Sequence, residues 1–406
     1  MTLETRKPFT KEKLRQFQEI TNVFPKTELA FLGERIPVMY AGWGNYLTTE
    51  EMISQWSTQE TPQILKDAIR SYGVSGGYFY GNDHDPSTPE AHEQSIIHMT
   101  AMAEGLMKLR GWVHADLRLA TISEHPDIAQ EVVKRLEDKG LHIDGVKTYG
   151  LACDGGGAAM IDAIADPEAN GRQMVFVAAE NLSGKSVPRE NLAMSTLFGN
   201  GGGGTAFIPG EELSLVHQDL VQAYVEKDVR GVIEVPRVYQ VDMLRQDHTP
   251  IQLPYWYEVK EGANFLFSDD VIANEMTTSG NTGNMKIETG PVFTQLVEPR
   301  VRKLLDKYYD LFHEEENIIR LAILHQPSKI IIEHIARKLK KHFGERCPEI
   351  PWFMQDTGFN NISSGNIFIA MTEAAKRNLL HPGEVFFFGS FGIGLSAHMA
   401  VVQLNI

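Results

Sequence analysis

Apolar and polar positions follow two rhythms along this chain, and they are clearest from Arg118 onward. Leu119–Ile122 reads as a short strand, and Asp127–Lys139 as an amphipathic helix with apolar residues three and four apart. Val146–Ala152 is the next strand, Gly155–Ala165 the next helix, and Met174–Ala179 a further strand. Leu197-Phe198-Gly199-Asn200 and Gly201–Gly204 then predict a glycine turn into a strand at Thr205–Ile208. The second half repeats the order. Ile319–Leu324 is a strand, Ile330–His342 a helix, Trp352–Met354 a short strand, Ile367–Lys376 a helix and Val385–Phe388 a strand. Gly389–Gly394 is a second glycine turn, leading to a closing strand at Ala397–Leu404. The halves also begin alike, with Arg118-Leu119-Ala120 and Arg320-Leu321-Ala322. Strands alternating with helices in one order, twice, predict a duplicated α/β fold with two units around a pseudo-dyad.

The flanking stretches are less regular. Residues 1–35 read as an N-terminal extension with an amphipathic helix near Lys11–Ile20. Pro37–Gly44 reads as a buried strand, and Thr48-Thr49-Glu50-Glu51 as a helix start with acidic residues in its first turn. Residues 72–95 read as a loop, and 95–110 as a Met- and Ala-rich core helix. Gln240–Glu261 mixes Pro, aromatics and charges, Thr277–Asn284 reads as a loop, and Val292–Phe312 as a long helix. The expected division is 1–35 extension, 36–210 first half and 211–406 second half.

Composition narrows the function. The chain has 406 residues, 42% hydrophobic, and a formal charge of −15. That charge argues against general nucleic-acid binding, which needs a basic footprint. Two cysteines, Cys153 and Cys347, build neither a disulfide framework nor a zinc site. The first residues are polar and charged, and no apolar run reaches the roughly 18 residues of a membrane helix. A cytoplasmic protein with no membrane contact is the expectation. A phosphate loop is rejected. No Lys-Ser or Lys-Thr follows Gly201–Gly204, and Ser183-Gly184-Lys185-Ser186 has Ala179 where the first glycine belongs.

The candidate chemistry starts at Cys153, between an extended run and Gly155-Gly156-Gly157. A thiol at a helix N-terminus meets unpaired N–H groups and the helix dipole, which favour its anion. A lone cysteine after an apolar strand is otherwise a small buried hydrophobe. If the halves are duplicates, His325 at a strand end and Asn361 in Gly358–Asn366 can converge on it. Alone, a histidine at a strand end is more often a satisfied polar residue than a catalyst, and Asn360-Asn361 is as readily a turn former as a donor.

Together these motifs resemble the thiolase-like condensing enzymes, and within them the ketoacyl-acyl carrier protein synthase III family, over roughly residues 115–210 and 285–406. Ala152-Cys153 matches the family's nucleophile, and His325-Gln326 its His-Gln motif. Asn361 with Ser363 matches its Gly-Asn-Thr-Ser segment. Phe198-Gly199-Asn200-Gly201 resembles its Phe-Gly-Asp-Gly turn, and Phe391–Ser396 its last glycine turn. Met285-Lys286 to Val292-Phe293 resembles the segment before its long helix. Each match alone is weak, but together and in the family's order they are specific. The departures are Pro327-Ser328 after His-Gln, Ile330 where an arginine is usual, Asn200 for Asp, Asn360 for Gly, and Asp154 after the nucleophile.

The resemblance implies a thiolase-like duplicated five-layer α-β-α-β-α architecture and an acyltransferase. Cys153 would take an acyl group from a thioester, with the backbone N–H groups of Cys153 and Ile393 as oxyanion hole. His325 and Asn361 would stabilise the enolate left when a malonyl thioester loses carbon dioxide. Acyl-CoA and malonyl thioester are then substrates, with no resident cofactor or metal. An acyl carrier protein is the implied partner, docking at Arg337 and Lys338 of the basic run that continues to Lys340 and Lys341. A homodimer is also implied. Two rival readings are acyl transfer to an alcohol or amine without decarboxylation, and a silent scaffold. Asp154, beside a thiol it would disfavour as anion, is expected to face solvent at the first helical turn.

Overall fold

The computed structural model describes residues 9–80, 88–121, 127–182, 192–228, 257–262, 289–313, 318–392 and 396–406. Two mixed sheets dominate. The first orders its strands Lys26–Leu32, Ile36–Gly42, Gly201–Phe207, Met174–Glu180, His114–Ala120 and His142–Tyr149. The second orders Tyr257–Gly262, Val221–Asp228, Ser396–Leu404, Val385–Gly392 and Ala322–Leu324. In each sheet the last two core strands of a half pair antiparallel, and a parallel neighbour flanks them. That shared pattern is the duplication.

Two helices of 11 residues lie between the sheets, Gly155–Ala165 and Asn366–Lys376. Each packs on the other half's sheet: the first on the 385–392 and 396–404 strands, the second on the 26–32, 36–42 and 201–207 strands. They share one apolar cluster with both inner sheet faces. A helix covered on both sides must be apolar all round, and Gly155–Ile164 is buried at every position. Pro89–Arg110 covers the outer face of the first sheet, with Lys11–Thr21 and Ile128–Glu137 beside it. Thr289–Leu311 and Lys329–Phe343 cover the second. The layers run α-β-α-β-α, as expected.

The first glycine-rich turn proved to be strand, as did Gly389–Gly392 of the second, whose last two residues lie outside the described residues. Gly201–Gly204 lies inside Gly201–Phe207, and Gly389 and Gly392 inside Val385–Gly392. The glycines there give room for neighbours rather than turns: a Cβ on Gly203 would lie 2.6 Å from the Cβ of Phe368 on the second central helix. The predicted Trp352–Met354 strand is also corrected. Only Glu349 bridges to Leu321, and a 3-10 turn follows at Met354–Asp356. Pro348 and Pro351 lack the N–H groups a longer ladder needs.

Residues 26–32 of the expected extension join the first sheet, antiparallel to 36–42. The loop assigned to 72–95 contains a short strand, Gly76–Phe79, and the start of the 89–110 helix. Thr48 and Glu51 do form a full capping box. The loop at 277–284, residues 183–186 and Ile393 lie outside the described residues.

Candidate active site

Each central helix is entered through the same strained turn. Leu151 (φ −99°, ψ 29°) precedes the 3-10 turn Ala152–Asp154, and Ile362 (φ −102°, ψ 34°) precedes Ser363–Gly365. Ala152 and Ser363 both sit at positive φ, 47° and 54°. A non-glycine residue in that region costs about 1–2 kcal/mol, and such strain concentrates at functional sites. The two turns are dyad mates, so Cys153 corresponds to Ser364. They also touch. A Cβ on Gly156 would lie 2.2 Å from the Ser364 carbonyl oxygen, so the helix starts meet only because that residue is glycine.

Contact between the turns brings the second half's polar groups to the sulfur. Cys153 is 4% exposed. The Ser363 hydroxyl and the Asn361 carboxamide stand beside its sulfur and favour its anion. Asn361 is held by backbone bonds to the first half: its N–H donates to Leu197 O (2.8 Å) and its carbonyl accepts from Gly199 N (3.1 Å). Its side-chain oxygen accepts from Ser363 N (2.9 Å) and Asn366 Nδ2 (3.4 Å). With the oxygen occupied, the amide presents its N–H groups to the sulfur.

His325 leaves the end of the Ala322–Leu324 strand, its N–H donating to Gly389 O (2.9 Å). Its ring stands edge-on to Phe391, centroids 5.3 Å apart, and Cys153, Phe391 and Leu324 share one packed cluster. Gln326 anchors the turn. Its Oε1 accepts from Phe353 N (2.8 Å), its Nε2 donates to Pro351 O (3.0 Å), and its backbone carbonyl accepts from Asn366 Nδ2 (2.6 Å). Asn366 thus ties the His325 and Asn361 segments together.

Burial governs the electrostatics. It pushes the Cys153 thiol up to about 12; the Ser363 and Asn361 donors pull it down, while Glu180 and Asp154 push it further up. Burial alone pushes the His325 imidazole down to about 3. The helix N-terminus therefore does not win at Cys153, contrary to expectation. Asp154 is a second correction. It does not face solvent: it is 0% exposed, with Oδ2 2.6 Å from His398 Nδ1.

Ser363 as a sulfur donor, Asn366 as a tie and His398 as a partner were not identified from sequence. A histidine inside the apolar stretch Ala397–Leu404 was the one available sign, since a buried polar group requires a partner. Arg337, Lys338, Lys340 and Lys341 form an exposed basic face on Lys329–Phe343. No group of three metal-ligating side chains and no helix long and apolar enough to cross a membrane occurs among the described residues.

Known proteins can now be set beside this site. The family model for the C-terminal part of 3-oxoacyl-[acyl-carrier-protein] synthase III matches residues 314–404, which include His325, Asn361 and His398. The beta-ketoacyl-[acyl-carrier-protein] synthase III of Clostridium novyi (strain NT) is 24% identical over 234 residues, 58% of this chain. The match spans 60% of that relative's length. Among solved structures, 3-oxoacyl-(acyl carrier protein) synthase III from Pseudomonas aeruginosa PAO1 superposes with a TM-score of 0.59 at 16% identity, covering 94% of this chain and 98% of its own. The 1,3,6,8-tetrahydroxynaphthalene synthase of Streptomyces coelicolor A3(2), a type III polyketide synthase, gives 0.64 at 14%, covering 93% and 99%. The fold is thiolase-like, and the resemblance to the synthase III family is borne out.

Proposed function

We infer that this chain, a thiolase-fold relative of the ketoacyl synthases III, joins an acyl thioester to a malonyl thioester by decarboxylative condensation, as in fatty-acid or polyketide assembly. What supports this reading is a neutral His325, its ring packed on Phe391 in the cluster that holds Cys153, together with Asn361 beside the sulfur. A simple acyl transfer needs no second donor, and Asn361 is oriented as one.

In the first stage the Cys153 sulfur attacks the thioester carbonyl and its proton passes to His325. The oxyanion takes hydrogen bonds from the Cys153 N–H and, on this reading, from Ile393 N–H. The Cys153 N–H faces Gly392, where a Cβ would lie 3.1 Å from it. Such a donor is worth about 3–4 kcal/mol. The tetrahedral adduct collapses, the carrier thiolate leaves and takes the proton from His325, and Cys153 holds the acyl group. In the second stage the malonyl C–CO2 bond breaks, carbon dioxide leaves, and the electron pair becomes an enolate. His325 and Asn361 donate to the enolate oxygen. The enolate carbon attacks the acyl-Cys carbonyl, and Cys153 departs as thiolate and takes a proton from solvent.

Two measurements test the two stages. Incubation with a panel of acyl-CoA thioesters should add one acyl mass to the intact wild-type protein and none to Cys153→Ala. Malonyl thioester should then release carbon dioxide, and Asn361→Ala should lose that release while still acylating. Acylation followed by transfer to an alcohol or amine, with no carbon dioxide, would overturn the condensation.

A further inference from the structure

Beneath the nucleophile lies a buried pair that the condensation does not use. Asp154 follows Cys153 and closes its 3-10 turn. His398, 3% exposed, lies in the Ser396–Leu404 strand. A carboxylate only accepts, so the imidazole N–H donates across the 2.6 Å to Asp154 Oδ2. His398 stands opposite Ser390 in the antiparallel ladder, so both side chains face the same way. Ser390 Oγ donates to the Cys153 carbonyl at 3.2 Å. One sheet face therefore fastens two successive residues of the strained turn.

We propose that Asp154 and His398 are positioning residues for Cys153: the imidazole anchors the carboxylate to the second sheet, and the carboxylate, held beside the sulfur, opposes its ionisation. The proposal rests on Cys153 being the nucleophile. The other groups that act on the sulfur are Glu180, from the Met174–Glu180 strand, and the Ser363 and Asn361 donors. His325, at the end of the Ala322–Leu324 strand, packs its ring on Phe391 of the same apolar cluster as Cys153. Glu180 works in the same sense as Asp154, and the two donors work against both. Between turnovers such a carboxylate adds to the burial that keeps the sulfur as a thiol.

The experiment follows carboxamidomethylation of Cys153 by iodoacetamide, read by intact mass from neutral to alkaline pH, beside a thermal melt of each full-length variant. Asp154→Asn keeps an oxygen for His398 and removes the charge. Its profile should move to lower pH, with alkylation about threefold or more faster at neutral pH and a melting temperature close to the wild type's. His398→Asn keeps an N–H donor and should leave the profile in place, whereas His398→Leu should displace it. A folded Asp154→Asn whose profile superimposes on the wild type overturns the proposal. If that variant does not fold, a folded Asp154→Ser or His398→Leu with an unmoved profile does the same. A wild-type Cys153 that takes neither iodoacetamide nor an acyl group refutes the nucleophile itself. A Cys153 that is acylated normally while the variant profiles stay fixed refutes only the pair.

Discussion

At Cys153 and His325 the two shifts run in opposite directions. A thiol near 12 and an imidazole near 3 do not form a resting thiolate–imidazolium pair. The proton has to move while the substrate carbonyl is being attacked, with the oxyanion donors stabilising the charge that develops. Wild-type Cys153 should therefore alkylate slowly at neutral pH, its rate still rising at strongly alkaline pH. A rate that levels off near neutrality would contradict this. Ser363→Ala removes a donor to the sulfur and should slow acylation by about three- to tenfold, measured by quenched intact mass. The neutral imidazole persists into acid, so lowering the pH from neutral to about 5 should produce no loss of acylation with a midpoint near the ordinary histidine value.

At the element scale, the site depends on how closely the two central helices approach the sheets and each other. Gly156, Gly157 and Gly203 face Ser364 O, Ser390 Cβ and Phe368 Cβ at distances no Cβ tolerates. Gly203→Ala should destabilise the protein by about 1–3 kcal/mol or more, seen as a lower urea midpoint, because strand and helix must separate. The Lys329–Phe343 helix carries a different prediction. Arg337 and Lys338 are exposed on a chain of charge −15, so they present local positive potential. Reversing both charges should weaken use of carrier-bound substrate and spare coenzyme A thioesters. Equal losses on both would count against carrier docking there.

For the molecule as a whole, buried histidines couple stability to pH. His98, tilted against Trp43 with ring centroids 4.1 Å apart, and His325 are both pushed down to about 3 by burial. The unfolded chain binds these protons near pH 6.5, the folded chain only near 3. Below about 6.5 the unfolded state therefore holds more protons. Stability is full above that value and is lost as pH falls toward 3. Melting temperature should drop across that window, and less steeply in His98→Phe. The first sheet also ends in an edge strand, His142–Tyr149, that is mostly half-exposed. Among the described residues no further strand pairs with that edge, and a second copy of the chain is the proposed occupant, to be checked by sedimentation.

The alternation of elements and its repetition were legible in the sequence, because amphipathic periodicity is local and each half carries it. The Gly155–Ala165 helix and the positions of Cys153, His325 and Asn361 at element ends came from that pattern and from motif order. What only the tertiary structure decided concerns neighbours far apart in the chain. In the Gly201–Gly204 strand the glycines leave room for Ile362, Trp43, Phe368 and Leu106, all distant in the chain. Asp154 turned inward because His398, 244 positions away, waits on the sheet behind it. The thiol is raised because closure around Cys153 excludes water, and a local helix dipole does not offset that desolvation. Sequence carries the periodicity that builds the elements; burial, which sets their electrostatics, exists only once the halves close on each other.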